Sequence, residues 1–225
     1  MEAKTLTKLS YGMFIASTKK GNKTAGCIID TCMQVATAPD RILISVMNGN
    51  YTRKLIKESG HFCVTILDET CPFAVIKHFG YQSSKDVDKF VDIPFFEIEG
   101  IPCPMDHACG VIYAKVAESV NLGSHTIFIG KIKDLKLLNN KKPLTYLRYQ
   151  EELKPQNGSE SESMPAPNAT ATDKTAEIDE RKIIAWQCTV CGYVHETPDM
   201  PDDFICPQCG HPKEDFEPIY EDEKM

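Results

Sequence analysis

Short apolar runs separated by polar turns fill the first 150 residues. Residues 11–18 and 24–34 flank Lys19-Lys20-Gly21-Asn22, and the Gly21-Asn22 pair predicts a hairpin turn between two strands. Residues 41–47 carry Ile, Leu, Ile and Val and predict a buried strand. Asn48 to Thr52 then supply helix-capping side chains, and residues 53–58 predict a short helix stopped by Gly60. Residues 62–67 predict a strand, and residues 69–79 a second short helix with Pro72 in its first turn. Residues 109–120 and 125–135 predict two further strands. Two short helices among at least six strands indicate a mainly β domain, and closure into a barrel would remove the exposed edges of so many short strands.

This pattern stops near residue 150. Residues 151–181 are poor in large apolar side chains and rich in Ser, Pro, Glu, Ala and Thr, a composition that predicts a flexible acidic linker. A loop of that length inside one compact domain would be unusual. Residues 182–225 are too few to bury a self-sufficient core, and units of that size usually need a metal or disulfides.

Charge sharpens the division. The formal net charge of −7 averages two unlike parts. Residues 1–150 hold 19 basic and 14 acidic side chains, a net of +5, whereas residues 151–225 hold 6 and 18, a net of −12. An overall basic field for nucleic acid is absent. No apolar run approaches the roughly 18 residues of a membrane span. The N-terminus lacks the long apolar core of an export signal, so the chain is read as cytoplasmic.

Of the ten cysteines, four form two pairs, Cys188-x-x-Cys191 and Cys206-x-x-Cys209. Two thiolate pairs supply four soft ligands in tetrahedral geometry, which suits zinc or iron in a reducing compartment. The stretch Trp186-Gln-Cys-Thr-Val-Cys-Gly-Tyr-Val resembles the first half of a rubredoxin, and Asp203-Phe-Ile-Cys-Pro-Gln-Cys-Gly, followed by Lys213-Glu-Asp-Phe216, resembles the second. The resemblance implies one iron as Fe(Cys)4. Gly192 and Gly210 would let backbone N–H groups turn toward the sulfurs, and Trp186, Tyr193, Phe204 and Phe216 would pack the small core. Fourteen residues separate Cys191 from Cys206. That spacing is similar to short rubredoxin modules appended to other redox proteins, such as rubrerythrin. It also approaches zinc-ribbon spacing, and structural zinc remains the alternative.

Several segments of residues 1–150 resemble the flavin reductase-like family, whose members bind FMN on a split β-barrel of Greek-key type. The stretch from Asn22 to Gln34, with Pro39, resembles the family's second strand, whose backbone borders the isoalloxazine; its candidate contacts are Thr24, Cys27, Ile28, Ile29, Asp30 and Thr31. The stretch from Ser45 to Thr52 resembles the turn that receives the flavin phosphate, with candidates Ser45, Asn48, Asn50, Tyr51 and Thr52. Free N–H groups at a helix start suit a phosphate, though Asn50 and Thr52 also read as an ordinary helix cap. The stretch from His78 to Phe90 resembles the family's FG-x-x-S-x-x-x-x-DKF segment, with candidates Phe79, Gly80, Ser83 and Lys89; Ser84 stands where the family usually has Gly. The stretch from Gly123 to Gly130 resembles its GDH strand, which implies a catalytic role for His125 near the flavin or nicotinamide, with Ser124 replacing the usual Asp. Residues 143–146 resemble the end of the barrel. The resemblance also implies a homodimer. The remaining cysteines at 27, 32, 63, 71, 103 and 109 lack ligand spacing and read as small half-buried hydrophobes.

The two halves together imply a relay. NAD(P)H delivers two electrons as hydride, Fe(Cys)4 accepts one, and a flavin converts between them. Fusions of this kind imply delivery to a flavodiiron protein that reduces NO or O2, or to another rubredoxin-dependent acceptor. A tether holds the two parts at roughly millimolar effective concentration, and their opposite charges would steer them together. The alternative is an FMN reductase or flavin-based sensor whose zinc ribbon recruits a partner.

Overall fold

Strands β1 (Phe14–Lys20) and β2 (Lys23–Ile29) form the predicted hairpin, with Gly21 at φ 58° in its turn. Their coordinates come from a computed structural model that describes residues 8–154, 183–188, 194–204, 213 and 216–220. The chain divides into two units between Lys154 and Pro155.

In the first unit β3 (Cys32–Thr37), β4 (Asp40–Met47), β5 (His61–Leu67), β8 (Ala108–Asn121) and β9 (His125–Leu137) complete an antiparallel sheet in the order β2-β1-β5-β8-β9-β4-β3. Strands β2 and β3 are opposite edges of this sheet, yet only Asp30 and Thr31 separate them. A trans chain covers at most about 3.5 Å per residue, so the sheet must curl until its edges nearly meet. No ladder joins β2 to β3 among the described residues, and the barrel is split along that seam.

Ile42, Ile44, Val46, Phe62, Val64 and Phe128 fill the interior. Helix α1 (Tyr51–Ser59) starts at the Asn50 cap and ends at Gly60, φ 76°, as its capping residues predict. On the other face of β5 and β8, the short hairpin of β6 (Phe95–Ile98) and β7 (Ile101–Pro104) covers a second cluster that includes Cys63, Cys103, Val111 and Tyr113.

Four features differ from the sequence expectation. The single strand over 24–34 is broken at Asp30-Thr31, where the chain leaves β1 and the Thr31 carbonyl accepts from Ser45 N–H at 3.2 Å. Helix α2 (Phe73–Gly80) begins four residues late, because the Asp68 carboxylate ties Thr70 N–H at 2.8 Å and Pro72 takes the cap position. The β6–β7 hairpin is additional, and Glu99 and Gly100 both take positive φ in its turn. Finally, α3 (Tyr146–Arg148) and a π-helical turn (Tyr149–Leu153) continue the first unit past residue 150, burying Tyr149.

In the second unit β10 (Ile183–Cys188) lies between β11 (Val194–His195) and β12 (Phe216–Tyr220). Phe204 packs between His195 and Phe216, and Trp186 Nε1 donates to the Pro198 carbonyl at 2.7 Å. Among the described residues no helix is long and apolar enough to cross a membrane.

Candidate active site

The open seam is the most distinctive chemical feature of the first unit. Gly26 N–H donates to Ser84 Oγ at 3.1 Å, and the Gly26 carbonyl accepts from Ser84 Oγ at 3.1 Å and from Lys89 Nζ at 3.0 Å. Both peptide groups of Gly26 therefore point away from β1. Backbone groups alternate along an antiparallel strand, so Thr24 and Ile28 present theirs to the same free edge.

Three residues assigned separately to flavin binding meet behind this edge. Lys89 on the segment after α2, Cys27 on β2 and Thr52 on α1 are all buried. Lys89 Nζ also donates to the Phe79 carbonyl at 2.7 Å, so it straps β2 to the end of α2. Burial lowers its pKa from 10.5 to about 8, with the adjacent Cys27 acting in the opposite sense. Burial raises the Cys27 thiol to about 11, with the nearby Thr52 and Lys89 acting in the lowering sense. Phe79 packs edge-on to Phe90, and both rings cover Gly26. These side chains face inward and hold the seam from behind. Ile29 is buried in the barrel interior, while Ile28 packs against Gly80.

The turn before α1 is also occupied by the protein itself. Asn50 Oδ1 accepts from Thr52 N–H at 2.9 Å, an ordinary helix cap. Asn48 Nδ2 donates to Asn121 Oδ1 at 2.8 Å and to the Gly123 carbonyl, and Asn48 Oδ1 accepts from Thr126 Oγ1 at 2.6 Å. Asn48 thus locks the β8–β9 turn to the end of β4. Ser45 lies opposite Ile127, and Met47 lies opposite His125, so Ser45 and His125 share the outward face of the β4–β9 pair. His125 Nδ1 is 2.9 Å from Ser124 Oγ. The hydroxyl thus reaches the ring at the position where Ser124 replaces the family's usual Asp.

Residues 6–152 match the model of the flavin reductase like domain, and residues 186–217 match that of the rubrerythrin, rubredoxin-like domain. The chain belongs to the flavin reductase-like family. It is 32% identical to the high molecular weight rubredoxin of Moorella thermoacetica over 97% of this chain and 100% of that protein. It is also 32% identical to the ferric-chelate reductase (NAD(P)H) of Archaeoglobus fulgidus over 66% of this chain and 89% of that one. Among solved structures, flavin reductase PheA2 aligns with TM-score 0.54 and 26% identity, covering 64% of this chain and 93% of its own. Membership places the chain among the NAD(P)H-dependent oxidoreductases.

In this flavin reductase-like domain a cleft of about 1070 Å³ opens beside the seam, between the β1–β2 turn, α1 and residues 84–88. It brings together the predicted Thr24 and Tyr51 with Lys23, Lys54 and Lys85, which the sequence reading missed. Those lysines sit on three separated segments, so no local motif marks them. Ser83, the predicted polar contact, is exposed and accepts from Lys85 N–H at 3.1 Å, capping its own turn. Ser84, read as a minor substitution for Gly, is the residue that reaches β2.

In the rubredoxin-like domain Cys188 is buried at the end of β10. Cys191, Cys206 and Cys209 lie outside the described residues, as do Gly192, Tyr193 and Gly210, and so do residues 155–181 of the predicted linker.

Proposed function

We propose that this chain oxidises NAD(P)H at an FMN seated along the β2–β3 seam. Its electrons then pass singly through an Fe(Cys)4 centre held by Cys188, Cys191, Cys206 and Cys209, and reach a flavodiiron protein or another rubredoxin-dependent acceptor. The observation that carries this reading is the open β2 edge. It is closed at Gly26 by Ser84 and Lys89, reopens at Ile28, and ends where Thr31 turns to β4.

Unpaired backbone donors and acceptors on a rigid strand suit the pyrimidine edge of a flavin, so the residues present fit the group. A bound flavin supplies exchange between two-electron and one-electron chemistry. Ile28, with Asp30 and Thr31 beyond it, offers backbone contacts along one edge. Thr24, Tyr51 and Lys54 at the cleft offer hydrogen bonds and positive charge to a phosphate. His125, hydrogen-bonded to Ser124, stands on β9 opposite Met47 of β4 and can position or protonate a bound partner.

The full-length likeness to a high molecular weight rubredoxin supports the relay. The ferric-chelate reductase named for NAD(P)H supports the electron donor. In this reading residues 155–181 tether the carrier to the flavin domain, the opposite charges of the two parts steer their encounters, and the chain works in the reducing cytoplasm. A homodimer is supported by an outward apolar row of Met33, Leu43 and Ile129 across β3, β4 and β9. Val120 and Ile127 continue that surface on β8 and β9.

Cofactor analysis of the purified full-length chain tests this assignment. It should hold one FMN and one iron per chain, with the visible absorption of ferric thiolate. Stoichiometric zinc and a colourless C-terminal domain would instead support the partner-binding module.

A further inference from the structure

Cys63 and Cys103 are 40 residues apart in sequence, and both are fully buried in the cluster beneath the β6–β7 hairpin. Cys63 is on β5, directly opposite Ser17 on β1 and Tyr113 on β8, so its side chain leaves the sheet on the face that the hairpin covers. Cys103 is on β7, the hairpin strand packed against that face. The two side chains share that packed cluster, and Cys103 Sγ donates to the Ile101 carbonyl at 3.4 Å. The neighbouring Cys103 thiol and burial both hold Cys63 in its protonated form.

The same buried layer contains two uncompensated hydroxyls. Ser17 Oγ and Thr65 Oγ1 are inaccessible and have no hydrogen-bond partner. Thr65 is two residues from Cys63 and therefore on the same face of β5. Buried polar groups left unpaired oppose closure of a layer. Local opening begins where contacts are least favourable, so the hairpin is the part of this barrel best placed to lift and admit a small reactant to both sulfurs at once.

We propose that Cys63 and Cys103 form a reversible dithiol–disulfide couple that staples the β6–β7 hairpin to β5. The oxidant is a small aliphatic disulfide. One cysteine, as thiolate, attacks it, releasing one small thiol and forming a mixed disulfide. The second cysteine displaces the other small thiol and closes the Cys63–Cys103 bond. One S–S bond breaks and one forms. The protein gives up two electrons and two protons, and the oxidant leaves as two thiols. In a reducing compartment the pair stays open, and when the thiol pool is oxidised the hairpin is locked.

The staple has a route to the flavin strand. Phe95 on β6 packs edge-on to Phe90, and Phe90 and Phe79 cover Gly26 on β2. The couple itself does not depend on the flavin reading, and its test uses no turnover.

The test equilibrates the intact full-length protein with mixtures of reduced and oxidised glutathione until successive time points agree. Acid quenching, alkylation and peptide mapping follow. The couple predicts that the peptides carrying Cys63 and Cys103 become joined, about 2 Da lighter than the two thiols, and separate again on reduction. Thermal unfolding of the oxidised protein should then shift upward by several degrees. Cys63→Ser and Cys103→Ser, each checked for native circular dichroism, should abolish both the joined peptide and the shift. Glutathione adducts on single cysteines, joining to any other cysteine, or both thiols remaining free across the series would overturn it.

Discussion

Ser84 holds Gly26 at both of its peptide groups, accepting from the N–H and donating to the carbonyl, each at 3.1 Å. This pair closes the free edge of β2 at one point and thereby sets where an edge-binding ligand can start. Ser84→Ala leaves the Gly26 N–H without its partner, at a cost of about 1–3 kcal/mol. It should lower stability in urea by that order and weaken FMN binding about fivefold or more, because the strand edge loses its anchor. Denaturation curves and flavin titration of the same sample separate the two effects. Unchanged FMN affinity in a destabilised variant would confine Ser84 to the fold.

Lys89 should make stability depend on pH in an unusual direction. Burial lowers its pKa from 10.5 to about 8. Between those values the unfolded chain keeps a proton that the folded chain has shed, so this residue's contribution to stability rises with pH across the window and is level below it. The slope is at most about 1.4 kcal/mol per pH unit for one proton. A neutral amine still has two N–H groups for the Gly26 and Phe79 carbonyls, so the strap survives deprotonation. The difference in unfolding free energy between the native protein and Lys89→Met should therefore widen from pH 8 to pH 10. A constant difference would show that the ammonium is not penalised where it lies.

His125, proposed to act on the reacting side of the site, lies opposite Met47 and on the same face as Ser45. His125→Gln should reduce kcat/KM for NAD(P)H by about 100-fold, the lower range for loss of a proton-handling group, with FMN content preserved. Ser124→Ala should give a smaller loss, since it removes the hydrogen bond to Nδ1. Full activity in His125→Gln would return this residue to a structural role.

Electrostatic steering predicts a selective salt effect. Raising ionic strength from 0.1 M to 1 M shortens the screening length from about 10 Å to about 3 Å. Stopped-flow traces should then show slower iron reduction while flavin reduction by NADH is unaffected. Equal rates of iron reduction at both salt concentrations would remove charge from the account.

Much of the fold was legible because its signals are local. Gly21 sits in the first hairpin turn, and Asn50 and Gly60 cap α1, as their residue types predict. The break at Asp30-Thr31 was not legible, because the chain there changes partner from β1 to β4, a choice made by residues far along the sequence. The β6 and β7 strands are only four residues each, and β7 carries Pro102 and Pro104, which hides the pattern. In the site, Lys89 reads as a surface cation available to a phosphate, and only the packing of α2 against β2 turns it inward. Ser84 reads as a conservative loop residue until the fold brings it to Gly26.

In the proposed relay, electrons from a nicotinamide reach iron through a flavin held by the same chain. An anaerobic titration of the full-length protein with NADH, followed by visible absorbance, tests it most directly. With one FMN and one ferric iron per chain, both chromophores should bleach fully at about 1.5 equivalents of NADH, because the flavin takes two electrons and the iron one. Bleaching of the flavin at one equivalent, with the ferric band left intact in protein shown to hold iron, would contradict the account.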